Sequence, residues 1–204
     1  MPTNTSSRST NLFMAGSSSL VLFSSTAFAH PGHEASTSML MSGLLHPLTG
    51  YDHFFAMLAV GLWCALTQKT VRRAMWAPIC FLGLLLIGAL AGMSGLGLPA
   101  LEPIIMVSLL VLGLLVATRV SMPTWAGAAI VGFFALFHGV AHGSELPLGG
   151  SAAAFIGGFM LTTFALHLSG LAAGFALKHR DIWLTRFAGA GIALYGAGLL
   201  SSMA

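Results

Sequence analysis

The chain has 204 residues, of which 56% are hydrophobic and only 6% charged, with a mean hydropathy of +0.90. A soluble domain carries about 25% charged residues, so these charges cannot cover a water-facing surface, and the composition describes a polytopic membrane protein. The net charge of +3 and pI near 9.3 carry no nucleic-acid signal here, and two cysteines, Cys64 and Cys80, exclude a disulfide scaffold.

Residues 1–29 read as a secretory signal peptide. Arg8 supplies the positive charge, "LFMAGSSSLVLF" the apolar stretch, and Ala27–Phe28–Ala29 an A-x-A cleavage pattern before His30. The short, serine-diluted apolar stretch also admits an uncleaved anchor. If cleaved, the mature chain begins "HPGHE", an N-terminal histidine segment over 30–38. Six runs of about the roughly 20 apolar residues that a spanning helix needs follow: 39–66, 74–92, 101–117, 125–141, 151–177 and 183–202. The expected fold is therefore all-α, a bundle of six transmembrane helices over 39–204. The breaks have a mechanism, since "TQKTVRR" and "KHRDIW" are charged while "GMSGLGLPALEP" and "GSELPLGGS" are rich in Gly and Pro.

Glycine and alanine recur along the second, fifth and sixth runs, where small residues let helices approach closely in lipid. Trp63, Trp76, Trp125 and Trp183 lie near span ends, as an interfacial aromatic belt requires. Lys69, Arg72, Arg73, Arg119, Lys178, Arg180 and Arg186 fall at the odd-numbered loops, and the even-numbered loops have no basic residue. The positive-inside rule then makes the odd loops cytoplasmic and both mature termini periplasmic, in a bacterial inner membrane. This agrees independently with a cleaved signal peptide.

Histidine is the anomaly, at eight residues against five carboxylates. The first run carries "HPLTGYDH". On an ideal helix His46, Gly50, His53 and Met57 share one face, which makes Met57 a candidate soft ligand, and Asp52 lies away from it. Pro47 and Gly50 permit a local break that would bring Asp52 to the histidines, as a ligand or as the carboxylate orienting an imidazole. The fourth run ends "FHGVAHGSE", where His138 and His142 sit at the i,i+4 spacing that allows two imidazoles to chelate one ion, with Glu145 a turn further on. His167, in "TTFALHLSG", reads equally as a ligand or as a hydrogen-bonded packing residue. His30 and His33 wait on the outer side. Ionisable residues inside a span are costly and mark function by default.

These two motifs, "HPLTGYDHFFAMLAVG" and "FHGVAHGSE", resemble the HupE/UreJ family, membrane proteins associated with nickel hydrogenases and ureases. The H-x5-D-H and H-G-x-A-H-G-x-E patterns match without departure, and the likeness extends over essentially the whole mature chain. The resemblance implies a permease admitting nickel, or cobalt, from the periplasm through His46, Asp52, His53, His138, His142 and Glu145. The metal is then cargo and no prosthetic group is expected; the partners are the lipid bilayer and the divalent ion, and a homo-oligomer is compatible with the sequence. Two rival classes use the same histidines, an integral-membrane enzyme with a catalytic metal and a bis-histidine haem carrier. No G-x-x-x-x-G-K-[ST] loop is present, so nothing in the chain binds ATP by that route. The motif-bearing runs are first and fourth of six, as two inverted halves of three would place them.

Overall fold

The computed structural model describes Met1 and residues 39–146, 151–180 and 182–203. The signal-peptide segment, His30 and His33 lie outside the described residues. Among these residues the secondary structure is entirely helical: α1 (Met39–Thr49), α2 (Tyr51–Thr67), α3 (Val71–Ala74), α4 (Trp76–Met93), α5 (Leu101–Thr118), α6 (Thr124–Ser144), α7 (Ala152–Leu177) and α8 (Ile182–Ser201). Among the described residues four stretches are long and apolar enough to cross a membrane: Val71–Met93, Leu101–Thr118, Thr124–Ser144 and Ala152–Leu177. The first and sixth expected runs fall outside these four. The first is divided at Gly50, leaving α2 with 17 residues. The sixth has the length, at 20 residues, but Thr185, Arg186 and its glycines dilute its apolar character.

The division at Gly50 has a local cause. Pro47 has no N–H to give the preceding turn, and Gly50 adopts an extended backbone (φ −88°, ψ 103°). At the interrupted end the His46 carbonyl accepts from both the Thr49 hydroxyl at 3.0 Å and the Gly50 N–H at 3.3 Å, and α2 restarts with Phe54 N–H on the Gly50 carbonyl at 2.9 Å.

Glycine decides which helices pair. α4 packs along α6, α5 along α8, and α7 along both α1 and α2. A Cβ on Gly88 would strike the Leu136 carbonyl oxygen of α6, and one on Gly139 would strike the Leu85 carbonyl oxygen of α4; Gly92 and Gly143 repeat the exchange one turn on. Gly61 of α2 meets the His167 carbonyl, and Gly170 of α7 meets that of Leu58. Gly113 and Gly189 do the same between α5 and α8. The expected seams in the second, fifth and sixth runs are therefore real, and each has a glycine on its partner too. In lipid, where apolar burial does not drive helices together, this close backbone approach supplies the van der Waals contact that does.

Taking α1–α2 and α3–α4 each as one segment, the pairs are first with fifth, second with fourth and third with sixth. Exchanging the two halves of three maps this set onto itself, which is the pairing two related halves would have. At one end of the bundle Lys178 donates to the Gln68 carbonyl at 2.6 Å, and Arg119 Nε donates to the Thr185 hydroxyl at 2.9 Å, so the basic odd-numbered loops gather together. Trp63 corrects the expected aromatic belt. It is only 1% exposed, and its indole N–H donates to the Val120 carbonyl at 2.9 Å. That carbonyl lies just past the end of α5 and has no helical partner of its own, so the indole goes inward. Trp76, Trp125 and Trp183 stay exposed, as a belt requires.

Candidate metal centre

Toward the end of the bundle away from Gln68, α1, α2, α6 and α7 enclose a group of imidazoles. The break at Gly50 lets α1 and α2 aim His46 and His53 into one space, with ring centroids 6.5 Å apart. From α6 come His138 and His142, one turn apart. His53 Nε2 lies 2.9 Å from His138 Nδ1 and makes a shorter approach to His142 Nε2. All three rings are buried, His138 completely. On its other side His142 Nδ1 lies 3.0 Å from His46 Nε2 and 4.0 Å from Glu145 Oε2. Two potential metal-holding groups result, an inner one of His53, His138 and His142 and an outer one of His46, His142 and Glu145. His142 belongs to both, with one ring nitrogen toward each.

The partners of the rings orient their lone pairs. Asp52 Oδ1 is 3.1 Å from His53 Nδ1; a carboxylate accepts, so Nδ1 holds the proton and Nε2 a lone pair. Ser108 of α5 donates its own hydroxyl proton to the Ile105 carbonyl at 2.5 Å and so accepts from His138 Nε2 at 3.0 Å. The His138 lone pair is thereby on Nδ1. Two unprotonated nitrogens, on His53 and His138, then face each other at hydrogen-bond distance with no proton between them. Like-facing lone pairs repel, and a shared cation removes the conflict: imidazole nitrogens bind a metal at about 2 Å, which suits nitrogens spaced near 3 Å around one ion. This ring-to-carboxylate and ring-to-hydroxyl support is the arrangement metal-binding histidines use to fix tautomer and direction.

Asp52 joins neither group and stands beside His53 Nδ1 instead. Phe159 walls the group with its ring 4.6 Å from His142 and 5.9 Å from His46, and Phe155 lies 5.6 Å from His46. Glu145 sits beyond the end of α6 with its side chain 68% exposed. Partial desolvation raises its carboxyl above the ordinary carboxylate range, with the nearby Asp52 and Glu102 carboxylates adding to it. Met57 is fully buried in the apolar core. His167 joins neither group; its Nδ1 donates to the Thr163 carbonyl at 2.8 Å. Ser108 is the residue that sequence reading misses. Its signal is a lone hydroxyl in the apolar run "IIMVSLLVLG".

The model of the HupE / UreJ protein family matches residues 18–199. Protein HupE of Rhizobium leguminosarum bv. viciae is 39% identical over 178 residues, covering 86% of this chain and 91% of that protein. No solved structure matches the chain. With its two histidine motifs on converging helices and a family match over nearly its full length, the chain belongs to the HupE/UreJ family.

Proposed function

We propose that this protein is a permease that carries a divalent transition metal, nickel or cobalt, from the periplasm to the cytoplasm and so supplies hydrogenase or urease maturation. The observation that carries the reading is the shared ring. His142 presents one nitrogen to an outer, partly exposed group and the other to an inner, buried one. An ion held by Glu145, His46 and His142 Nδ1 can pass to His53, His138 and His142 Nε2: the Nδ1 bond breaks as the Nε2 bond forms, and the ring proton moves from Nε2 to Nδ1. A cation cannot shed water in hydrocarbon without replacement ligands, and throughput needs sites weak enough to release. Two small groups with a common member meet both demands. A resident catalytic ion, by contrast, calls for one fixed set of ligands and an open coordination position for substrate. Imidazole suits Ni, Zn, Cu and Fe alike, so the choice of nickel rests on the family.

In this reading six segments cross an inner membrane. The 20 residues of α8 rise about 30 Å, the thickness of the hydrocarbon core. α1 and α2 together form the first crossing, broken where the site needs backbone freedom, as irregular backbone inside a membrane is tolerated when it lines a protein site. The cleaved N-terminus would place His30 and His33 at the periplasmic entrance as a capture segment. Uptake of radioactive nickel by cells carrying or lacking the protein tests the proposal. Equal uptake by both, with the protein abundant in the membrane, would refute it.

A further inference from the structure

Among the described residues three buried side-chain polar atoms have no hydrogen-bond partner: Arg119 Nη2, beside the basic loops, and two on α7 beyond the inner group. His167 Nε2 on α7 is wholly buried and meets no donor, and the Thr163 hydroxyl is likewise buried and unpartnered. Because His167 Nδ1–H is donated to the Thr163 carbonyl, Nε2 carries a lone pair. The two residues are one helical turn apart and share a face. Buried polar atoms are nearly always paired, and other hydroxyls in this protein satisfy themselves by back-bonding, Thr67 to the Trp63 carbonyl and Thr118 to that of Leu114. Thr163 does not.

One aromatic ring lies near both His167 and a member of the inner group. Phe81 of α4 is completely buried, with its ring centroid 6.1 Å from that of His138 and 4.9 Å from that of His167. A bare imidazole nitrogen with a hydroxyl oxygen is a weak two-ligand set for a borderline divalent cation that keeps part of its water. An apolar ring across the route is a constriction of the kind that gates permeation. Resting on the permease reading above, we propose that His167 Nε2 and Thr163 Oγ1 form a second, weaker cation station, and that the Phe81 ring is the movable barrier between it and His138.

The test uses the full chain labelled with 15N-histidine in detergent and titrated with Zn2+, a diamagnetic imidazole ligand-seeker, with the His167 resonance assigned through His167→Gln. The His167 Nε2 signal should move only after those of His53, His138 and His142 have saturated, and Thr163→Val should push its movement to higher zinc. In vesicles loaded with the protein, His167→Gln should slow nickel entry roughly tenfold, the scale of losing a supporting ligand, with half-saturation unchanged. Phe81→Trp should slow entry, and Phe81→Leu should speed it and admit competing cations. The zinc response of the other three rings in each variant reports that it has folded. A His167 signal that stays still while those rings saturate would overturn the station and leave a packing histidine beside a trapped water. Phe81 variants that fold and transport like the parent would overturn the barrier. If instead His53, His138 and His142 ignore zinc, the permease reading fails, and a shifting His167 would still support a site of its own.

Discussion

Two histidines in this bundle have the same exposure, zero, and opposite surroundings. His138 has a neighbour at each ring nitrogen, the Ser108 hydroxyl accepting from Nε2 and the His53 lone pair facing Nδ1. His167 has its own helix on one side and nothing on the other. Burial alone therefore says little about what an intramembrane histidine does. What distinguishes a primary ligand is a second residue that fixes its proton, together with other lone pairs that converge on the same point. The inner group has both, whereas His167 has only the fixed proton and stands away from the other rings.

That contrast is broken most severely by removing a ring. His53→Ala, His138→Ala or His142→Ala should each cost more metal affinity than the roughly 10–100-fold typical of losing an outer-shell partner, and should abolish most nickel uptake while the protein still inserts. His142→Ala should be the worst because it breaks both groups. Normal transport by two of the three, at normal abundance, would show that the group is structural.

Next in size are the orienting residues. Asp52→Asn and Ser108→Ala leave every ring in place, yet each should lower affinity by about 10–100-fold. The amide can offer His53 a donor and so invert its tautomer; the alanine leaves His138 Nε2–H unsatisfied. Isothermal titration with nickel would measure both. If Asp52→Asn binds like the parent, the carboxylate does not set the lone pair, and the distinction drawn between His138 and His167 loses half its basis.

Glu145 should matter less, and in a pH-dependent way. Its carboxyl titrates above the ordinary range, so as pH falls it loses its charge earlier than a free glutamate would. The outer group's contribution is present above that raised value and fades as the medium acidifies through it. Glu145→Gln should lower uptake at neutral pH and bring its pH profile onto that of the parent at the acid end. Profiles that stay parallel throughout would remove Glu145 from the entrance. The smallest effect is expected at the N-terminus: deletion of residues 30–34 with cleavage preserved should weaken uptake only when metal is scarce and pH is near neutral, where His30 and His33 are unprotonated. An equal loss at every metal concentration would make the segment structural.

Much of this architecture can be read along the chain because it depends on local chemistry. Periodic apolar runs make helices, Pro47 and Gly50 interrupt one of them, i,i+4 spacing puts His138 and His142 on one face, and paired glycines mark where backbones touch. Tertiary structure alone decides the rest. Helical periodicity tells which face a side chain occupies but not which helix lies opposite. So it cannot say that Ser108 of α5 fixes the His138 proton, that His142 is shared between two groups, or that Phe81 of α4 neighbours both His138 and His167. Trp63 is the same lesson in a single residue: its position near a span end is written in the sequence, but the Val120 carbonyl that draws it inward comes from the loop after α5.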